Sequence, residues 1–118
     1  MKTILIADDS ASMRKLLETI LKGEGHNILV AEDGREALKL AFDNEIDAIV
    51  ADEEMPKLTG SEVFKILNTD PEKRRIPRIL ISGLTAADDK PASELFDVFV
   101  SKNVDLKTEL LAALDKLL

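Results

Sequence analysis

Short apolar runs that each end on a polar side chain recur along this chain, and they leave few folds open. Ile4 to Ala7 ends at Asp8-Asp9, Ile46 to Ala51 at Asp52, Arg78 to Ile81 at Ser82, and Val98 to Ser101 at Lys102. Continuous apolar runs of this length suit strands buried on both faces of a parallel sheet. Between the runs lie stretches whose apolar residues recur at helical spacing. Strands alternating with helices pair in parallel through right-handed crossovers. Their carboxyl ends then line one edge of the sheet, where open α/β sheets take their ligands. Three carboxylates, a hydroxyl and an ammonium are therefore expected to meet there.

The remaining elements follow from the same pattern. Met13, Leu16, Leu17, Ile20 and Leu21 mark a first helix that Gly23 and Gly25 stop, and Ile28 to Ala31 is the second strand. Asp33 and Glu36 give a capping-box-like start to a second helix, with a buried stripe of Ala37, Leu38, Ala41 and Phe42. Met55-Pro56 and Gly60 mark a loop, and Ser61 to Asn68 reads as a third helix with Val63, Phe64 and Leu67 inward. A short fourth helix is expected within Ala86 to Phe96, limited by Pro91. The last helix begins at Val104 or Asp105 and carries Leu110, Leu111, Leu114 and Leu117 on one face. The expectation is one α/β domain over residues 1–118. It has a flavodoxin-like, doubly wound, five-stranded parallel sheet in the order 2-1-3-4-5, with five helices. That order sets Asp8-Asp9 beside Asp52 and leaves Glu32-Asp33 outside the pocket.

Composition narrows the function classes. The formal net charge is -7, which argues against nucleic acid or an anionic membrane as the main partner, because both need clustered Lys and Arg. The chain has no cysteine, so disulfides, thiol chemistry and thiolate metal sites are excluded. No apolar stretch is long enough to cross a bilayer, and acids follow the N-terminal MKTILIA too soon for a signal peptide. A cytoplasmic location is the expectation.

Three carboxylates at one sheet edge suit a hard divalent cation, Mg²⁺ or Mn²⁺, which prefers oxygen ligands. Without it the acids repel one another and at least one pKa rises. With it, Asp52 can act as a nucleophile toward a phosphoryl group. Lys102 can then stabilise the charge on the phosphoryl oxygens, Ser82 can bond one of them, and Gly83 offers a backbone N–H with space for phosphate.

These residues carry a resemblance to response-regulator receiver domains over essentially the whole chain. DDS at Asp8 to Ser10, DEEMPKLTG from Asp52 to Gly60, Ser82 after the fourth strand and Lys102 after the fifth follow that family's order. The stretch DDSASMRKLL is similar to the chemotaxis-type, single-domain members. The resemblance implies that Asp52 is the phosphoacceptor and that Asp8 and Asp9 bind the metal with the Glu54 backbone carbonyl. It further implies that Ser82 is the switch hydroxyl, Lys102 the phosphate-binding lysine and Phe99 the switch aromatic. A histidine kinase or phosphotransfer protein would supply the phosphoryl group, and a downstream output protein would read the change. The chain departs from the family pattern at Asn103, where proline is common, and at Gly83, where alanine is common.

The implied role is a phosphorylation-dependent signalling domain of a two-component system rather than an enzyme acting on another substrate. A degenerate receiver working through protein contacts alone is the alternative. An aspartate-nucleophile phosphohydrolase fits less well, because DDS lacks that class's D-x-D-x-T spacing. A flavin carrier would meet repulsion from Asp8-Asp9. On position alone, Phe99 reads as a packed strand aromatic and Met13 as core. Glu53 and the Glu54 side chain read as solvated loop acids. His26 and the Lys73-Arg74-Arg75 run read as surface loop.

Overall fold

The computed structural model describes residues 2–83, 93–102 and 105–118. Strands β1 (Thr3–Ala7), β2 (Asn27–Ala31), β3 (Ala48–Asp52), β4 (Arg78–Ser82) and β5 (Val98–Ser101) form one sheet. Its order is β2-β1-β3-β4-β5, with every neighbouring pair parallel. This is the expected flavodoxin-like topology, whose crossover direction reverses between β1 and β3. Four α-helices lie among the described residues: α1 (Ala11–Gly23), α2 (Gly34–Asp43), α3 (Gly60–Leu67) and α4 (Leu106–Leu117). Of the stretch expected to hold a helix around Pro91, residues 84–92 lie outside the described set. Ser93–Leu95 form a single 3-10 turn. Asn103 and Val104 also lie outside it, and Asp105 is the N-cap of α4.

Alternation along the strands divides the core. Ile4, Ile6, Val50, Ile79, Ile81 and Val100 point to one face and pack with Leu17, Leu21, Leu110 and Leu114 of α1 and α4. Leu5, Ala7, Ile49, Ala51 and Leu80 point to the other and pack with Ala37, Ala41, Val63, Phe64 and Leu67 of α2 and α3. β1, β3 and β4 are thus covered on both sides, as a parallel sheet requires. Two apolar residues placed inward by periodicity lie outside: Leu16 is 46% exposed and Phe42 44%. Each sits at the margin of its helix's apolar stripe, where a 3.6-residue period leaves the inward and outward assignments close together.

Local chemistry sets the helix starts. Ser10 caps α1 by accepting from the Met13 N–H at 3.3 Å. Asp33 caps α2, accepting from the Glu36 N–H at 2.8 Å. The reciprocal arm differs from the expected capping box, because Glu36 accepts from the Glu32 N–H at 2.9 Å. A complete box instead begins α3. Thr59 accepts from the Glu62 N–H at 3.2 Å, and Glu62 accepts from the Thr59 N–H at 2.8 Å. That box starts α3 at Gly60, one residue earlier than expected.

Gly60 is required by close approach. A Cβ there would lie 2.6 Å from the Asp52 carbonyl oxygen and 2.9 Å from Leu80 Cδ1. The end of β3 and the start of α3 are therefore pressed backbone to backbone. At Gly83 a Cβ would meet nothing within 4 Å. Gly60→Ala is expected to cost about 1–3 kcal/mol of stability through overpacking, whereas Gly83→Ala leaves stability nearly unchanged. Urea unfolding of both variants measures the contrast, and equal midpoints would contradict the contact.

Candidate functional site

The strand register assembles the site. Ala7 pairs with Ala51, so Asp8 and Asp52, each the next residue, stand side by side at adjacent strand ends. Ser82 pairs with Ser101, which sets Lys102 one step past Ser82. The Lys102 N–H donates to the Ser82 carbonyl at 2.9 Å, and the Glu53 N–H donates to the Ile81 carbonyl at 2.8 Å. The sheet's own hydrogen bonding thus continues into the site and fixes its backbone.

Asp8 and Asp52 are buried, at 0% and 2% exposure, while Asp9 is exposed. The Lys102 ammonium lies between the two buried acids, with Nζ 3.2 Å from Asp8 Oδ2 and 3.0 Å from Asp52 Oδ2. Asp8 Oδ1 accepts from the Ser10 N–H at 2.9 Å, and Arg14 Nη1 donates to the Asp8 carbonyl at 2.9 Å. Asp52 Oδ1 accepts from the Glu54 N–H at 3.3 Å. These bonds hold both carboxylates by one oxygen each and leave the other facing Lys102.

The donor set fits a divalent cation. Asp8, Asp9 and Asp52 each bring a carboxylate oxygen to within 4.8 Å of the others. Asp8 Oδ2 is buried without an aligned hydrogen bond, although Lys102 stands beside it. A buried anionic oxygen in that condition is what a hard cation would satisfy.

Charge at the site is incompletely balanced. Burial pushes the Asp52 carboxyl up to about 6, and the Asp8 charge adds to the rise, while the Lys102 ammonium and the Glu54 N–H hold it down. Burial alone would lower Lys102, but its hydrogen bond and charge interaction with Asp52, followed by those with Asp8, leave it raised. One ammonium thus faces two buried carboxylates, and the Asp9 carboxylate lies within 4.8 Å of both acids.

Two acids read as solvated loop residues have specific partners, although Glu54 is exposed as expected. Glu53 clamps the start of α3, its carboxylate accepting from the Ser61 N–H at 2.7 Å and the Ser61 hydroxyl at 2.6 Å. The Glu54 side chain reaches β4, accepting from the Ser82 hydroxyl at 2.8 Å and the Gly83 N–H at 3.2 Å. No spacing rule links partners 8 and 28 residues apart; only the β3–β4 pairing brings Glu54 to Ser82. The remaining residues stand as follows. Phe99 is half-buried against the α2–α3 side of the core, with its ring centroid 6.0 Å from that of Phe96. Asp33 lies outside the cluster and pairs with Lys57 at 3.3 Å. His26 lies before β2, at the opposite sheet edge.

The Asp52 proton carries a stability consequence in the metal-free protein. Its folded-state pKa, about 6, exceeds the ordinary value of 3.8, so the folded state holds the proton more tightly than the unfolded one. The associated stability is present below pH 4 and is lost as pH rises through 6. Asp52→Asn removes that loss. In EDTA it is expected to be no more stable than the parent near pH 4 and more stable by about 2–3 kcal/mol above pH 7. Urea unfolding at both pH values checks this, and a difference that does not change with pH would refute it.

Comparison with known proteins places this geometry. The family model of the response regulator receiver domain matches residues 4–115. Response regulator RR06 of Streptococcus pneumoniae serotype 2 is 36% identical over 101 residues, which cover 86% of this chain and 44% of that protein. The chain therefore spans less than half of that relative's length. The solved structure of response regulator protein TrrA of Thermotoga maritima, in complex with Mg(2+)-BeF, has a TM-score of 0.89 at 35% identity and covers 100% of both chains. The chemotaxis response regulator CheY4 of Vibrio cholerae has a TM-score of 0.91 at 28% identity, covering 100% of this chain and 99% of that one. No described helix is long and apolar enough to cross a membrane. Matched in sequence over nearly all its length and in fold over all of it, the chain belongs to the response-regulator receiver-domain family of two-component signalling.

Proposed function

We propose that the chain is a phosphorylation-dependent switch whose phosphoacceptor is Asp52. The observation that carries this reading is the Lys102 ammonium held 3.0 Å from a buried strand-end carboxylate, with two further acids beside it. A structural ion pair would need one acid; here Lys102 meets two and a third lies beside them, which leaves negative charge for a metal to balance.

An ionised Asp52 oxygen attacks the phosphorus of an incoming donor. If the donor is a phosphohistidine, the P–N bond breaks as the new O–P bond forms, and its electrons stay on the imidazole nitrogen. The product is an acyl phosphate on Asp52. Despite its burial, Asp52 is largely ionised above its pKa of about 6, so the nucleophile is available at neutral pH. A Mg²⁺ or Mn²⁺ ion held by Asp8, Asp9, Asp52 and the Glu54 carbonyl would supply charge opposite the phosphoryl oxygens. Lys102, already on Asp52 Oδ2, follows the charge outward onto a phosphoryl oxygen. The Ser82 hydroxyl and the Gly83 N–H donate to the others, and Phe99 adjusts as Ser82 moves. The kinase or phosphotransfer donor and the output protein act in the cytoplasm on this reading. The domain's own chemistry is confined to gaining and losing this phosphoryl group.

Incubation with acetyl phosphate or phosphoramidate and Mg²⁺ is expected to add one phosphoryl mass, which Asp52→Asn abolishes. Full labelling of the Asn variant would remove Asp52 from the role. No labelling of the parent would favour a receiver that works through protein contacts alone.

The two metal acids separate by burial. Asp8 is already engaged by Lys102 and the Ser10 N–H, whereas Asp9 is exposed beside them. Asp9→Ala is expected to weaken Mg²⁺ binding more than Asp8→Ala, by about tenfold or more. Removing either charge leaves the metal-free fold as stable as the parent or more so. Calorimetric titration with Mg²⁺ and urea unfolding in EDTA read the two effects. Parent-like Mg²⁺ binding in both variants, with reduced stability, would make the acids structural.

A further inference from the structure

The Glu54 carboxylate occupies the two donors that a phosphoryl group on Asp52 would need. Its Oε2 accepts from the Ser82 hydroxyl at 2.8 Å, and its Oε1 accepts from the Gly83 N–H at 3.2 Å. Two anionic oxygens on one centre thus bridge a hydroxyl and a backbone amide at the end of β4. A phosphoryl group offers the same pattern of oxygens. Glu54 follows Asp52 by two residues, so this internal anion is tethered beside the acceptor itself.

The backbone lets the side chain leave alone. The Glu54 N–H is tied to Asp52 Oδ1 at 3.3 Å, and the next residue, Met55, is buried. The Glu54 side chain is exposed, so rotation about its own torsions carries the carboxylate into water without moving that backbone. The outward state is open to a charged group that water solvates well.

We propose that Glu54 is a positioning residue acting as an internal competitor. In the resting state its carboxylate holds Ser82 and Gly83, and an oxyanion on Asp52 must displace it to engage them. The inference rests on Asp52 being the acceptor, and it adds a regulation of that site. It differs from a buttress role, in which the same two bonds merely steady the segment after β4. A competitor's removal strengthens binding of a phosphoryl mimic, whereas a buttress's removal weakens it.

The test is titration of the full chain with beryllofluoride, standing in for the phosphoryl group, at saturating Mg²⁺. Glu54→Ala is expected to bind it about fivefold more tightly than the parent, a modest factor because the displaced contacts are solvent-exposed. Glu54→Gln, which keeps an acceptor without the charge, falls between. In a Ser82→Ala background the gain from Glu54→Ala shrinks by half or more, because one of the two contested donors is gone. The amide spectrum of the ligand-free protein supplies a second reading, in which Glu54→Ala shifts the Gly83 resonance.

Equal or weaker beryllofluoride binding by Glu54→Ala, with the parent binding normally, would overturn the proposal and leave Asp52 as acceptor. An undiminished gain in the Ser82→Ala background would also overturn it, because charge repulsion alone would then suffice. An unmoved Gly83 resonance would show that the contact is not made in solution. If no variant takes beryllofluoride although all bind Mg²⁺, the acceptor reading falls and the competitor falls with it.

Discussion

One ammonium between two buried carboxylates governs the carboxyl edge of this sheet. Desolvation disfavours every charge placed there, yet the register of β1 and β3 forces Asp8 and Asp52 together at the ends of two fully covered strands. Lys102 makes their proximity tolerable, at 3.2 and 3.0 Å. The compensation is partial. Asp52 still rises to about 6 with the ammonium in place, because burial outweighs the attraction. An edge balanced in this way is most stable when further positive charge arrives. The electrostatic defect of the metal-free fold would therefore also favour a bound cation.

The opposite edge is built the other way. Arg78 begins β4 at 3% exposure. Among the described residues its guanidinium meets no carboxylate directly. It donates to the carbonyls of Phe64 and Lys73, at 3.1 and 3.4 Å, and to the Asn68 side chain, and it lies 5.6 Å from the centre of the Phe64 ring. Burial lowers its pKa, but an arginine stays charged far above neutral pH. The charge is spread over neutral dipoles at the end of α3 and in the 3-10 turn Lys73–Arg75 that follows it. Asp47 and Asp97 cap the strand starts, accepting from the N–H groups of Thr3 and Arg78, each at 2.8 Å. Arg78 Nε and His26 Nδ1 are buried here without a hydrogen bond among the described residues, but the strand-start N–H groups and the terminal guanidinium nitrogens of Arg78 are bound within the chain.

What the sequence could disclose follows the reach of each signal. Strand runs and helical stripes are local, and they yielded the sheet order and the positions of Asp8, Asp9, Asp52, Ser82 and Lys102. The strand bounds moved by a residue or two; β3 starts at Ala48 rather than Ile46, because Asp47 turns aside to cap Thr3. Phe42 and Leu16 show the limit of periodicity at a stripe's margin. Glu53, Glu54 and Arg78 show the limit of composition. A charged residue in a loop reads as solvated and one at a strand start carries no signal of its partner; only tertiary contacts 8, 28 and 14 residues away reveal one. The Thr59–Glu62 capping box, by contrast, was legible in principle, since a Thr three residues before a Glu is a sequence-level signal.

Glu53 and Glu54 also give the site a direction. Glu53 is bound to Ser61 by two short hydrogen bonds at the start of α3, and Gly60 lies so close to the Asp52 carbonyl that even a methyl group would not fit. On that side Asp52 has no slack. Toward β4, the exposed Glu54 side chain rests on the Ser82 hydroxyl and the Gly83 N–H. On the competitor role proposed above, those donors exchange one anion for another. A group added to Asp52 would then meet a rigid wall at α3 and a replaceable bond at β4. On the function proposed above, the structural response runs through Ser82 toward β5, where Phe99 lies two residues after Asp97 and three before Lys102. The same lysine that lies between the resting acids directly follows that strand, so electrostatic balance and the route of the response share one residue.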